Sequence, residues 1–252
     1  MPRIIIFICM MQLVSCSTED LNCYPEELRE SILLSYQFTE GSFNDFSGNN
    51  YNLDYAENVN QVLGRNGDIN GAIEFPEERN SFAIREDASF MDDRSSFSVS
   101  AWIKLTQGVN TKSIQGIVSR DSIPTCPDRI GQWSLSLFDC SRAVFAINES
   151  SWTNWLSGNI LNCNTAEHTD NLADEWIHIV GVKDEDQVNI YRNGILEDTQ
   201  EGIANCSNFR PSRNIGALLI GFRFKGTVDD ITIFDKAISD EEVDLLFKVE
   251  SC

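Results

Sequence analysis

Asp174–Asp198 reads DEWIHIVGVKDEDQVNIYRNGILED, and Leu218–Leu246 reads LLIGFRFKGTVDDITIFDKAISDEEVDLL. The first is a strand, a break and a second strand, in which Val188 and Ile190 alternate with Gln187, Asn189 and Tyr191. Asn193-Gly194 follows, a pair that supplies the positive φ a tight hairpin turn needs. The second is a strand, a glycine-punctuated turn, another strand and a short helix. Ser239 caps that helix and Glu242 stands three residues on, the spacing of a capping box.

Outward from these stretches the same period of two recurs. Phe97, Val99, Ala101, Ile103 and Leu105 fall on one face of a strand, and Trp133, Leu135 and Leu137 line the next. Ile32–Phe38 opens the domain. Turn signals separate the strands, no long apolar helix intervenes and no internal repeat is present, a pattern that favours an all-β sandwich over an α/β fold. The 252 residues, 42% of them hydrophobic, suit one such domain with a sizeable core.

The formal charge is −20 and the isoelectric point about 4.3. That field repels nucleic acid and anionic lipid and attracts divalent cations. Arg3 supplies one positive charge, and the apolar run Ile4–Met11 that follows is too short to span a bilayer and fits a signal h-region. Leu13-Val14-Ser15-Cys16 resembles a bacterial lipobox, with Cys16 as the lipidated first residue of the mature chain; the other reading is an ordinary signal peptide with Cys16 in a disulfide. Ser17-Thr18-Glu19-Asp20 resembles the surface-export signal of Bacteroidetes-type lipoproteins. The expected organisation is a signal peptide over 1–15, a lipidated tether over 16–30 with a helical turn at Pro25–Arg29, and one domain over 31–252. The expected address is the cell envelope, with the membrane reached through the lipid alone.

Setting Cys9 and Cys16 aside, six of the eight cysteines remain: Cys23, Cys126, Cys140, Cys163, Cys206 and Cys252. An even number in an exported chain points to disulfides, and sequence leaves their connectivity open. No Cys-x-x-Cys occurs and His168 and His178 are the only histidines, which argues against a zinc site.

From Ile32 to Phe247 the chain resembles a laminin-G-like jelly roll of the concanavalin-A-like lectin/glucanase superfamily. The pieces that carry the resemblance, in order, are Tyr36-Gln-Phe38, Asp45-Phe-Ser47-Gly48-Asn49, Gly71-Ala-Ile-Glu-Phe75, Phe97–Leu105, Ile117-Val-Ser-Arg120, Glu175-Trp-Ile-His178, Tyr191-Arg-Asn-Gly194, Ile220-Gly221 and Phe224-Lys-Gly226-Thr-Val-Asp229. The resemblance implies a two-sheet antiparallel sandwich with one short C-terminal helix, and a recognition role. It implies that the termini meet, which makes Cys23–Cys252 the first choice of pair; Cys126 and Cys140 flank one strand-rich segment that a disulfide could staple as a hairpin, which would leave Cys163 with Cys206. It also implies that Trp102, Trp176 and His178 are framework residues.

Similar domains hold calcium through an early Asp/Asn loop and a late aspartate, which here implies Asp45, Asn49 and Asp229. Alternation puts Asp229 on a face with Ile231 and Ile233, where a buried carboxylate needs a cation or hydrogen-bond donors. The other reading is that backbone N–H groups satisfy Asp229 and the Asn44–Asn50 loop is only a turn. Trp152 and Trp155 lie in polar, loop-like sequence with Asn148, Asn154 and Asn159, which reads as a sugar-stacking platform; the alternative is that both rings pack a long loop onto the sandwich. The Glu-x-Asp-x-x-Glu pattern of related glucanases is absent, and Asp184-Glu185-Asp186 reads as a turn. The expectation is a non-catalytic protein that binds an extracellular glycan or glycoprotein, with structural calcium. An assembly subunit binding another envelope protein is the alternative, and a glycoside hydrolase the less favoured third.

Overall fold

The computed structural model describes residues 21–77, 79–106, 114–120, 131–138, 142–148, 153–157, 175–202 and 216–249, and of 153–157 the backbone pairing alone. Among the described residues fifteen strands and two α-helices follow one another: α1 (Glu26–Arg29), β1 (Ile32–Tyr36), β2 (Tyr55–Glu57), β3 (Asn60–Val62), β4 (Ala72–Phe75), β5 (Phe82–Arg85), β6 (Ser96–Leu105), β7 (Gln115–Arg120), β8 (Trp133–Phe138), β9 (Arg142–Asn148), β10 (Thr153–Ser157), β11 (Trp176–Asp184), β12 (Gln187–Arg192), β13 (Ile195–Glu201), β14 (Leu218–Ile220), β15 (Gly226–Phe234) and α2 (Asp240–Phe247). One antiparallel sheet runs β13-β12-β11-β6-β15-β4-β3, with β1 beside β15; the other runs β10-β9-β8-β7-β14-β5-β2. This is the expected jelly-roll sandwich.

The period-two stripes meet between the sheets. Phe97, Val99, Ala101, Ile103 and Leu105 pack with Leu135, Leu137, Val188 and Ile190 in one buried cluster. Burial of that apolar surface is the main stabilising term. Close approach is enforced at Gly181 of β11, where a Cβ would lie 2.5 Å from the Phe145 ring of β9. The Asn193-Gly194 turn has φ of 50° and 79°, as its sequence demands. Ser239 and Glu242 form the capping box in full: Ser239 N donates to Glu242 Oε2 at 2.8 Å and Glu242 N to Ser239 Oγ at 3.3 Å. Among the described residues no helix is long and apolar enough to cross a membrane.

A second apolar cluster covers the outer face of the first sheet. Tyr24, Leu28, Val180, Val182, Tyr191, Phe234, Val243 and Leu246 join in it, so α1 and α2 both lie on that face. This differs from the expected tether. Tyr24 and Leu28 are buried, and Tyr24 Oη bonds Ser35 Oγ at 2.9 Å and Thr232 Oγ1 at 2.6 Å. The folded domain therefore takes in residues from Leu21 onward. Two other expectations need correction. The polar stretch around Trp155 is not a loop: β10 pairs with β9 along its length, as the edge of the second sheet. Asp229 is also out of phase with Ile231 and Ile233. A β-bulge interrupts β15 between Asp229 and Thr232, and Asp230 has φ of 43°. The extra residue shifts the alternation by one. Asp229 stands opposite Trp102 on the outer-face side, while Ile231 and Ile233 stay in the core.

Candidate functional site

The outer face of the first sheet has a closed part and an open part. In the closed part, Asp229, Trp102 and His178 are in register across β15, β6 and β11. Trp102 stacks on His178 with centroids 4.9 Å apart and on Phe247 of α2 at 5.7 Å, and the Arg65 guanidinium lies 4.5 Å over the Trp102 ring. Arg65 Nε donates to Asp230 Oδ2 at 2.7 Å, and its Nη2 to the Val249 carbonyl at 3.0 Å, so it ties the end of the chain to the bulge. Burial, then the charge of Asp230, pushes the Asp229 carboxyl up. Burial, then the charge of Arg65, holds the His178 imidazole down to about 3. His178 is thus neutral, with Nε2 bonded to Ser100 Oγ at 2.8 Å. The space left among Tyr24, Arg65, Ser100, Trp102 and Asp230 is about 10 Å³, about one water at most. A ligand has no access there.

The open part lies two residues along the strands. Asn60 of β3 pairs with Glu74 of β4, Glu74 with Thr227 of β15, Thr227 with Lys104 of β6 and Lys104 with Trp176 of β11. Residues paired across a ladder project to the same face, so an amide, a carboxylate, a hydroxyl, an ammonium and an indole form one row. Asn60 Nδ2 donates to Glu74 Oε2 at 2.8 Å, and Lys104 Nζ lies 5.0 Å from the Trp176 ring centre. A groove of about 720 Å³ opens over the β3 end of this row, with Glu74, Lys104 and Thr227 in its lining. Leu63 and Ile69, 58% and 76% exposed, line it too. Its volume falls within the range of small-molecule sites, while its lining mixes polar and aliphatic side chains. Glu74 is the one carboxylate among the described lining residues.

The residues expected to hold calcium are separately satisfied. Asp45 Oδ1 accepts from Ser35 N and Ser47 N, both at 2.9 Å, and its Oδ2 from Ser47 Oγ at 2.8 Å and Tyr51 N at 2.9 Å. Asn49 Nδ2 donates to the Leu33 carbonyl at 3.0 Å. Asp229 Oδ2 accepts from Arg65 N at 2.9 Å and Oδ1 from Asp230 N at 2.8 Å. Such bonds are what the turn reading required. Among the described residues no three His, Cys, Asp or Glu side chains gather as a metal site.

Of the expected sugar platform, Trp152 and Asn159 lie outside the described residues, as do Cys16, Cys126, Cys140, Cys163, Cys206 and Cys252. Trp155 and Asn154 are placed in β10 opposite Ala146 and Ile147. Asn148 is buried in β9, which takes it from the surface a sugar could reach. Trp102 is buried as a framework residue should be, while Trp176 is half-buried and stands in the open row. Sequence reasoning passed over Asn60, Glu74, Thr227 and Lys104, because only the register of five strands brings them together.

Residues 70–244, well over half of the chain, match the laminin-G family model described as the concanavalin A-like lectin/glucanases superfamily. The chain belongs to that superfamily. No curated protein matches it. Solved structures with the same fold include the binding domain of botulinum neurotoxin serotype D, at 17% identity and a TM-score of 0.64 over 88% of this chain and 52% of that one. The binding domain of Paraclostridial Mosquitocidal Protein 1 is 19% identical, with a TM-score of 0.64 over 87% and 52%. The binding domain of botulinum neurotoxin DC in complex with rat synaptotagmin II is 19% identical, with a TM-score of 0.61 over the same shares. This lectin/glucanase-superfamily chain thus spans about half the length of those structures, and at such identities the likeness is one of fold.

Proposed function

We propose that this chain is a non-catalytic recognition domain that holds an extracellular glycan or glycoprotein at the outer-face row and its groove. The observation that carries this is the row itself: hydrogen-bonding side chains of several kinds, aligned on a rigid sheet, with an accessible indole at one end. Sheet positions are pre-organised, so little ordering entropy is lost on binding. A single carboxylate among the described residues of the groove supports binding without hydrolysis, since the common glycosidase mechanisms use two. Asp229 and Asp230 are adjacent but enclosed. The solved structures of like fold are described as binding domains, which agrees with a recognition role.

The lipobox-like Leu13–Cys16 supports attachment of the domain to the cell envelope by a lipid on Cys16; Cys16→Ser should move the protein to the soluble fraction, and a variant that stays on membranes would remove the anchor. A second reading, an assembly subunit binding another envelope protein, is favoured by Leu63 and Ile69, apolar and exposed beside the same groove. A glycan array probed with the full-length protein in detergent separates the two. Selective glycan binding, lost in Glu74→Ala and Lys104→Ala, supports the first; a blank array with folded protein, and an envelope partner captured by wild type but not by Leu63→Asp/Ile69→Asp, supports the second.

A further inference from the structure

The two edges of the first sheet are unlike. At one edge β13 carries Glu197, Asp198 and Glu201, charges that discourage pairing with another chain. At the other, β3 reads Asn60-Gln61-Val62, with neither charge nor proline, and among the described residues β4 is its one strand neighbour. An edge of that kind offers backbone N–H and C=O groups to an incoming strand. The chain leaves β3 through Leu63 and returns to β4 through Ile69, the two exposed aliphatic side chains in the lining of the groove. The hairpin tip between them is pinned: Gly64 N donates to the Asp68 carbonyl at 2.9 Å, and Arg65 N to Asp229 Oδ2 at 2.9 Å. Both side chains are therefore held outward beside the open edge.

Three residues make only a short ladder, so backbone pairing alone holds a partner weakly and the exposed aliphatic side chains have to add contact. Pairing at β3 puts alternate side chains of the incoming strand on the outer face, beside Asn60 and Val62. Leu63 and Ile69 suit an aliphatic side chain there. Glu74, which accepts from Asn60 Nδ2 at 2.8 Å, stands one strand in, while Lys104, the cation of the groove, stands three strands from β3 beside Trp176. With a charge of −20 on the whole chain, a cationic side chain is favoured at this edge and an anionic one repelled. We propose that β3, with Leu63 and Ile69, takes an extended, basic segment of a partner protein as an added strand of the sheet. The proposal rests on the partner-protein reading above and gives that partner its chemistry; it makes no use of a sugar site.

The probe is a set of short fluorescein-labelled peptides in which valine alternates with lysine, titrated by fluorescence anisotropy into the full-length protein in detergent at low salt. They should bind about tenfold or more tightly than peptides with glutamate in place of lysine. Methylating every second backbone nitrogen separates an added strand from general attraction. On the set that faces β3 it should cost about tenfold or more, and on the other set little, because a strand pairs through one edge at a time. Leu63→Asp/Ile69→Asp should weaken binding by about tenfold and leave the melting temperature near that of wild type, since both side chains are exposed. Equal binding of the glutamate peptides, indifference to which nitrogens are methylated, binding untouched by the double variant, or no binding at all overturns the proposal. After such a result the partner-protein reading stands if an envelope partner is captured by wild type and lost in the same double variant. Loss of that capture as well removes the reading and the proposal together.

Discussion

Arg65 Nε donates to Asp230 Oδ2 at 2.7 Å across 165 residues of sequence, with only 9% and 8% of the two side chains exposed. One guanidinium thus serves a bulge that carries two adjacent aspartates. Removing one partner of a buried pair leaves a charge with neither water nor counter-ion, at about 3–5 kcal/mol. Arg65→Met should accordingly lower stability by about 3 kcal/mol or more in urea denaturation. Adding Asp230→Asn should recover part of that loss, because asparagine tolerates positive φ and carries no charge. A single variant within about 1 kcal/mol of wild type would show the pair to be dispensable.

The same cluster sets a pH dependence. His178 is held down to about 3 from an ordinary 6.5, chiefly by burial and then by Arg65. The unfolded chain therefore binds a proton below 6.5 that the native state refuses. The contribution of His178 is whole above 6.5 and is lost as pH falls from there toward 3, at up to about 1.4 kcal/mol per pH unit. Asp229 acts in the opposite sense. Burial and then Asp230 raise its carboxyl above 3.8, so its contribution is present below 3.8 and is lost as pH rises. Between 3.8 and 6.5 the two oppose one another, and above 6.5 only the Asp229 decline remains. His178→Phe should expose that decline from about pH 4 upward, and Asp229→Asn should flatten the alkaline limb. Urea midpoints across the pH range read both; profiles parallel to wild type would contradict the assignment.

Cys23 is disulfide-bonded and packs beside the second apolar cluster, next to Tyr24. Tyr24 and Val249 line the same small space, and Cys252 lies three residues beyond Val249, within about 11 Å of extended chain. Peptide mapping without reduction should recover Cys23 joined to Cys252. A crosslink closing so long a loop is worth up to about 5 kcal/mol, so Cys23→Ser should lower the melting temperature in oxidising buffer and change little in reducing buffer. A Cys23 peptide joined to another cysteine would break the expected pairing.

Particular residues show where sequence sufficed. The alternation of Phe97–Leu105, the Asn193-Gly194 turn and the Ser239–Glu242 capping box are local rules, and each appears as read. Failure came where a distant partner decides. Nothing local says that Tyr24 is covered by α2, that β10 finds an edge on β9, or that a bulge at Asp230 reverses the phase of β15. The open row is the extreme case: Asn60, Glu74, Lys104, Trp176 and Thr227 sit on five strands, and no spacing in sequence encodes their alignment.

Asp45 offers the sharpest division between calcium and hydrogen bonds. Its two oxygens accept four bonds, three from backbone N–H groups of Ser35, Ser47 and Tyr51 and one from Ser47 Oγ. Those donors pin the loop to β1, and a charged acceptor makes each bond worth about 1.5–3 kcal/mol. Asp45→Ala should therefore destabilise the domain by about 2–4 kcal/mol whether calcium or chelator is present. Asp45→Asn should be nearly as costly, because an amide turns one acceptor into a donor facing N–H groups. If calcium instead bridges Asp45, Asn49 and Asp229, wild type should melt higher with the ion than with chelator, and Asp229→Ala should abolish the difference. Melting curves of the three proteins in both buffers decide between a turn fixed by its own backbone and a metal site.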